Sequence, residues 1–304
     1  MKTCTLIYNP VSGKKTFEQA LPKVEARLSA LGYTCNIYKT AYPTHAELLV
    51  QEIMNKAKPS LLVIAGGDGT FNECLNGLMM FDDKPDVAYI PSGTSNDLGT
   101  SLGISKDLDD ALDVIEAYQK VNMDVGVSKH GYFSYVCATG SYIDISYETS
   151  SFLKRLLGFF AYIISGVKRF FRLKKMHMSI TTMEGKTYKG TYTLMLAINS
   201  RRVASLNMIN RPILDDGKLD VILYKYTPLL NNVLFFIGFF IKPPKMPRMK
   251  RFQSKGIVIE VDDAHHWNQD GEKKGSGNNA IHVVRQALPI IINKKRHKYF
   301  KNQD

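Results

Sequence analysis

The sequence predicts an α/β protein of two domains, with a parallel-sheet α/β domain over residues 1–125 and a β-rich, antiparallel, sandwich-like domain over residues 126–289. Three observations predict it. Up to about residue 125, short apolar runs alternate with amphipathic helical patterns, the signature of βαβ units and a mainly parallel sheet. Beyond that point, strand-like segments follow one another with turn signals between them. The Gly-rich stretches of the first half fall where apolar runs end, and in a parallel sheet that is where ligands bind.

Taken in order, the runs 5–8, 34–38, 61–65 and 87–90 read as buried strands. The patterns over 17–31 and 45–56 read as helices, the second with Thr44 as its N-cap, and a third helix starts near Phe71. The first residues form a strand pattern and lack the longer apolar core of a leader peptide. In the second domain, 132–138, 176–183, 187–197, 219–226, 256–261 and 281–284 read as strands, with Glu184-Gly185 as a hairpin turn. Two apolar stretches interrupt them, 156–167 and 226–241, each short of the roughly 20 residues that a membrane-spanning helix needs. The tail, about 290–304, is placed to pack back on the first domain, and its basic run 294–301 reads as a solvated end.

A hydrophobic share of 44% excludes wholesale disorder. The net charge of +12 favours anionic partners, whether nucleic acid, nucleotides or an acidic membrane surface. Cys4, Cys35, Cys74 and Cys137 lack zinc-site or redox spacing and read as reduced thiols of a cytoplasmic protein. His265-His266-Trp267 would alternate faces on a strand, which favours a packing or rim role over a metal site.

The chemistry lies in the loops. The run 61–65 enters Gly66-Gly67-Asp68-Gly69-Thr70, whose glycines let backbone approach a phosphate closely. The helix that follows offers free N–H groups to an anion. Asp68 repels a bare phosphate, which suits it to a metal-linked role or to bracing the loop. A second loop, Pro91-Ser92-Gly93-Thr94-Ser95-Asn96-Asp97, follows the run 87–90 and carries hydroxyl donors in Thr94 and Ser95. A third, Asn9-Pro10-Val11-Ser12-Gly13-Lys14-Lys15, has Tyr8 and Lys15 where a P-loop needs Gly and Ser or Thr, so the Walker reading fails.

These three loops, in this order, resemble the diacylglycerol kinase catalytic family, as do Leu214-Asp215-Asp216-Gly217-Lys218-Leu219-Asp220 and Asp270-Gly271-Glu272 further on. Departures are Ser95 for the usual Gly, Leu98 for an aromatic and Gly99 for Ala. The resemblance implies a two-domain lipid kinase fold with ATP in the cleft between domains. It implies nucleotide contacts from Asn9, Pro10, Ser12, Gly13, Thr40, Gly66, Gly67, Asp68, Gly69, Thr70, Asn72, Glu73, Gly93, Thr94, Asn96 and Asp97. Asp68, Asp97 and Asp124 would surround a catalytic Mg2+, and a structural Mg2+ would sit at Asp215 and Asp216 with the carbonyls of Ile213 and Lys218.

An acceptor hydroxyl needs a base within hydrogen-bond reach. Asp270 is the first expectation and Glu272 the second, because sequence does not show which carboxylate faces the acceptor. The apolar stretches with basic flanks, Lys154, Arg155, Lys168 and Arg169 on one and Lys242, Lys245, Arg248, Lys250 and Arg251 on the other, favour a lipid acceptor. They suit peripheral contact with an anionic membrane, the wall of an acyl-chain pocket, or core packing. Diacylglycerol leads as acceptor, ahead of phosphatidylglycerol or a sphingoid base. An NAD kinase-like enzyme shares the Gly-Gly-Asp-Gly-Thr loop but would not need the Phe235-Phe236 and Phe239-Phe240 pairs beside a basic cluster. Nucleic acid is not expected as a partner, since no binding module is recognisable. A homodimer through an exposed strand edge is compatible with the pattern.

Overall fold

The computed structural model describes residues 2–13, 17–140, 175–226, 249–262 and 265–302. The apolar stretch 156–167, and 226–241 apart from Tyr226, lie outside the described residues, as do their basic flanks except Lys250 and Arg251.

The first half runs β1 (Lys2–Tyr8), α1 (Phe17–Ala30), β2 (Tyr33–Lys39), α2 (His45–Lys56), β3 (Leu61–Gly66), α3 (Asp68–Leu78), β4 (Asp86–Pro91), α4 (Asp97–Leu102) and α5 (Leu108–Ala117). The strands pair in parallel in the order β2-β1-β3-β4. Every residue of β3 is buried, as its unbroken apolar run requires in a sheet covered on both faces. Of two helices adjoining the site, α2 starts at His45 as expected but is capped differently, and α3 starts earlier than expected. α3 begins at Asp68 rather than near Phe71, because extended Gly67 serves as its N-cap and Asp68-Gly69-Thr70 form its first turn. Thr44 stands at the N-cap of α2 with φ 71°, yet its side chain caps nothing. Glu73 does this instead, accepting from Thr44 N at 2.9 Å and Ala46 N at 3.2 Å.

This gives Glu73, one of the expected nucleotide contacts, a capping role, with both carboxylate oxygens turned to the start of α2. Glu73→Ala should therefore cost about 1 kcal/mol of stability, the usual scale of a lost cap, and leave ATP affinity unchanged. Thermal unfolding and nucleotide titration on the same variant check both halves of the statement.

The second half continues with β5 (Lys120–Ser128), β6 (Gly131–Phe133), β7 (Val136–Gly140), β8 (Met176–Thr182), β9 (Thr187–Ile198), β10 (Arg202–Val203), β11 (Leu206–Asn207) and β12 (Leu219–Lys225). It ends with β13 (Met249–Ser254), β14 (Gly256–Val261), β15 (His266–Gln269), β16 (Glu272–Ser276), β17 (Asn279–Ile291) and a 3-10 helix, Lys294–Tyr299. The pairings among β7, β8, β9, β12, β13, β14, β15 and β16 are antiparallel. The β8–β9 hairpin turns at Glu184-Gly185, with Gly185 at φ 83°. Alternate residues of β9 enter different cores: Leu194, Leu196 and Ile198 one, Met195 and Ala197 the other. The period of two thus buries both faces of this sheet.

β5 and β17 tie the two halves together. β17 pairs with β14 over its first residues, with β5 along most of its length, and with β4 in parallel at Ile290↔Val87. Residue 125, the expected domain limit, falls within β5. The register slips between Val284 and Leu288, where Gln286 adopts φ 50° and donates its N–H to Asp124 Oδ1 at 2.8 Å. The tail is more than a solvated run, because Tyr299 and Phe300 are buried in the first core and Leu214 N donates to Tyr299 O at 2.8 Å. Among the described residues no helix is long and apolar enough to cross a membrane.

Candidate active site

In the first sheet, β1 leads to β2 on one side and β3 leads to β4 on the other, so the topological switch point lies between β1 and β3. The loops after these two strands meet there. Asn9 N donates to Ala65 O at 2.9 Å, and Asn9 Nδ2 to Thr70 Oγ1 at 2.9 Å. Ser92 N donates to Gly66 O at 2.8 Å, which brings in the loop after β4. The closeness demands glycine. A Cβ on Gly93 would stand 2.5 Å from Gly67 Cα, and one on Gly13, at φ 56°, only 1.9 Å from Ser92 O. Into this cradle α3 directs its unpaired N-terminal N–H groups. Ser92 Oγ is buried there with no hydrogen-bond partner, an orphaned donor that a phosphate oxygen would satisfy.

Several expected contact residues hold the loops rather than face outward. Asn96, at φ 49°, clamps Gly93 by accepting from its N–H at 3.0 Å and donating to its carbonyl at 2.9 Å. Asn72 Nδ2 reaches Tyr132 O at 2.9 Å and Asp270 Oδ2 at 3.0 Å. Thr40 is buried, and its N–H donates to Tyr8 O at 3.0 Å. Thr94 is exposed, while Pro10, Ser12, Gly67 and Gly69 are half-buried around the cradle.

Asp68 accepts from Asp97 N at 3.1 Å and Leu98 N at 3.4 Å, which fastens α3 to the start of α4. Burial pushes its pKa up to about 7, and the charges of Asp97 and Asp270 add to the shift. Burial likewise raises Asp97, which accepts from Ser205 N at 3.0 Å and lies 3.9 Å from Arg202 Nε. This excess of negative charge fits a divalent cation beside bound phosphates.

Asp124, expected in the same network, belongs elsewhere. It accepts from Gly217 N at 2.6 Å, and its pKa is pushed up to about 6 by burial, with Asp216 and Asp215 adding to the shift. Asp215 is fully buried and takes Asn302 N at 2.6 Å. Asp216 is only partly covered, accepts from Lys218 N at 3.0 Å, and is raised by burial and then by Asp220 and Asp215. Of the 215–218 turn, Asp216 is the carboxylate left to a cation. Among the described residues, no three His, Cys, Asp or Glu side chains already converge as a metal cage.

These raised carboxylates carry a pH signature. Asp68 and Asp124 bind protons more tightly in the fold than in the unfolded chain, where the ordinary value is 3.8. Their contribution is therefore fully present below that value and is lost as pH rises through about 6 and about 7. Metal-free protein should melt a few degrees higher at about pH 5.5 than at about pH 7.5, and Asp68→Asn should flatten that slope. Added Mg2+ should recover the loss at the higher pH. A melting temperature that falls on acidification would contradict the assignment.

Asp270, the first expectation for a base, lies deep in the fold. It is 1% exposed and accepts five hydrogen bonds, from Ser134 N (2.6 Å), Ser134 Oγ (2.8 Å), Tyr135 N, Val136 N and Asn72 Nδ2 (each 3.0 Å). The strand expected over 132–138 breaks into β6 and β7 because these N–H groups turn toward the carboxylate. Burial pushes the Asp270 pKa up, against the hydrogen bonds from Ser134, Val136 and Tyr135. No lone pair is left for an acceptor hydroxyl. Glu272, two residues on, is exposed at the start of β16, and its Oε1 lies 2.9 Å from where a Cβ on Gly69 would stand. Sequence reasoning missed Ser134 and Tyr135, the latter a buried phenol whose neighbours include Asp68, Asp270 and Asp97. It also missed Arg202, and no motif marks any of the three.

Residues 3–128 match the diacylglycerol kinase catalytic domain family. A diacylglycerol kinase of Staphylococcus carnosus (strain TM300) is 31% identical over 279 residues, 90% of each chain. One of Staphylococcus aureus (strain JH9) is 33% identical over 279 residues, 90% of this chain and 87% of the relative. A solved structure from Bacillus anthracis str. Sterne, described as of a putative diacylglycerol kinase, superposes with a TM-score of 0.83 at 25% identity, over 97% of this chain and 98% of that one. With these similarities the phosphate cradle gains a definite chemistry, that of an ATP-using lipid kinase. The chain belongs to the diacylglycerol kinase family.

Proposed function

We propose that this protein transfers the γ-phosphate of ATP to the free hydroxyl of diacylglycerol, giving phosphatidic acid, with Glu272 as the base. The observation that carries the reading is the Glu272 carboxylate beside Gly69, an exposed acid from the β-rich half set against the phosphate-binding turn of the other half. A hydroxyl between the two halves gives its proton to Glu272 as its oxygen attacks the γ-phosphorus, and ADP leaves with the bridging oxygen. The N–H groups at the start of α3 and the loops 9–13 and 91–97 hold the phosphates in line. Asp270 fixes the turn that presents Glu272. Magnesium, when bound, would neutralise charge on the phosphates, held by Asp68 and Asp97, and a second ion would suit Asp216 with the Ile213 and Lys218 carbonyls beside Asp124.

The same reading places the protein in the cytoplasm, in peripheral contact with an anionic membrane to which its net charge of +12 would draw it. A homodimer fits the edge of β13, which among the described residues pairs with β12 alone. A panel of acceptors in mixed micelles tests the acceptor: diacylglycerol, phosphatidylglycerol, a sphingoid base and, in solution, NAD. Diacylglycerol should give the highest kcat/KM. Phosphorylated NAD with no phosphorylated lipid would defeat the proposal.

A further inference from the structure

The other end of α4 lies against a second concavity. The turn at Gly103 and the C-terminal 3-10 helix border an open concavity of about 540 Å3, lined by Gly103, Asn293, Lys295, Arg296 and Lys298. The lining holds three cations and no acid. Among the described residues, none of the three is ion-paired. Arg296 is built into the wall. A Cβ at Gly103 would stand 2.7 Å from Arg296 Cγ, so the glycine leaves the room that the arginine fills. Arg296 Nη1 donates to Tyr299 OH at 3.2 Å, and its guanidinium carbon lies 5.5 Å from the Tyr299 ring centroid, with Lys298 Nζ 5.8 Å from the same ring. The buried Tyr299 thus scaffolds two of the cations, while Arg296 Nε is enclosed without a hydrogen-bond partner.

Three like charges around one concavity repel one another unless an anion joins them. Arginine and lysine at this spacing suit the oxygens of a phosphate group, the first as a planar fork and the second as a point charge. We infer that the pocket of Lys295, Arg296 and Lys298 is a second anion site, separate from the nucleotide cradle, that takes a phosphate group, carried either by a phospholipid headgroup or by free phosphate. Asn293 N donates to Leu102 O at 3.2 Å, and six-residue α4 spans about 9 Å to Asp97. The site therefore anchors phosphate one short helix away from the nucleotide loop.

The test uses the full chain with its nucleotide site filled by a non-hydrolysable ATP analogue and Mg2+. Inorganic phosphate is titrated while the Gly103 and Asn293 amides are followed by NMR. Vesicles of phosphatidylcholine with and without phosphatidylglycerol are then sedimented with wild type and Lys295→Ala/Lys298→Ala, which removes two exposed side chains and leaves the Arg296–Tyr299 contact in place. Saturable shifts at both amides, lost in the double variant with vesicle binding unchanged, support the site with free phosphate as its source. Binding to phosphatidylglycerol vesicles weakened about tenfold or more in the double variant supports the headgroup as the source. No saturable shift at these amides, together with equal vesicle binding by both proteins, overturns the inference.

Discussion

Glu272→Gln lowers kcat by about 10²–10⁴-fold and leaves ATP affinity and melting temperature near the wild-type values. The glutamine keeps the size of the side chain beside Gly69 and removes its ability to accept a proton. Glu272 is exposed, so the fold does not depend on its charge. Steady-state kinetics with nucleotide titration and thermal unfolding separate chemistry from binding and folding. Near-normal turnover in this variant would remove Glu272 as the base.

Asp270→Asn has the other large effect, and it acts first on stability. The carboxylate accepts five hydrogen bonds in a site 1% exposed. An asparagine keeps one acceptor oxygen and turns an NH2 group toward donors, so several buried N–H groups lose their partner. The expected loss is about 3–5 kcal/mol, seen as a lower denaturation midpoint. Turnover also falls, because the turn bearing Glu272 loosens. The two variants thus differ in kind: one is folded and inactive, the other destabilised. A fully stable, inactive Asp270→Asn would return the base to Asp270.

The cradle was legible in sequence because its parts are local. β3 is an unbroken apolar run since it is buried on both faces; it ends on Gly66, and Gly67 and Gly69 come just after it. The start of α3 at Asp68 was not, because Gly69, a poor helix former, falls in its first turn and reads as loop. Roles fixed by long-range contacts were hidden. Ser134 and Asp270 are 136 positions apart, and nothing near Asp270 announces that its lone pairs are filled. Glu73 looked like part of the nucleotide motif, yet its partners are on α2. β17 was read only over 281–284 because its strand changes neighbours and bulges at Gln286. The family resemblance groups Asp124 with Asp68, while the β17 bulge and the Gly217 turn hold it beside Asp215 and Asp216.

The most direct measurement is transfer of label from γ-labelled ATP to diacylglycerol in mixed micelles, by wild type and Glu272→Gln side by side. The label should appear in phosphatidic acid with the wild type and stay in ATP with the variant. Equal labelling of lipid by both proteins, or labelled inorganic phosphate with no labelled lipid from the wild type, would contradict the account.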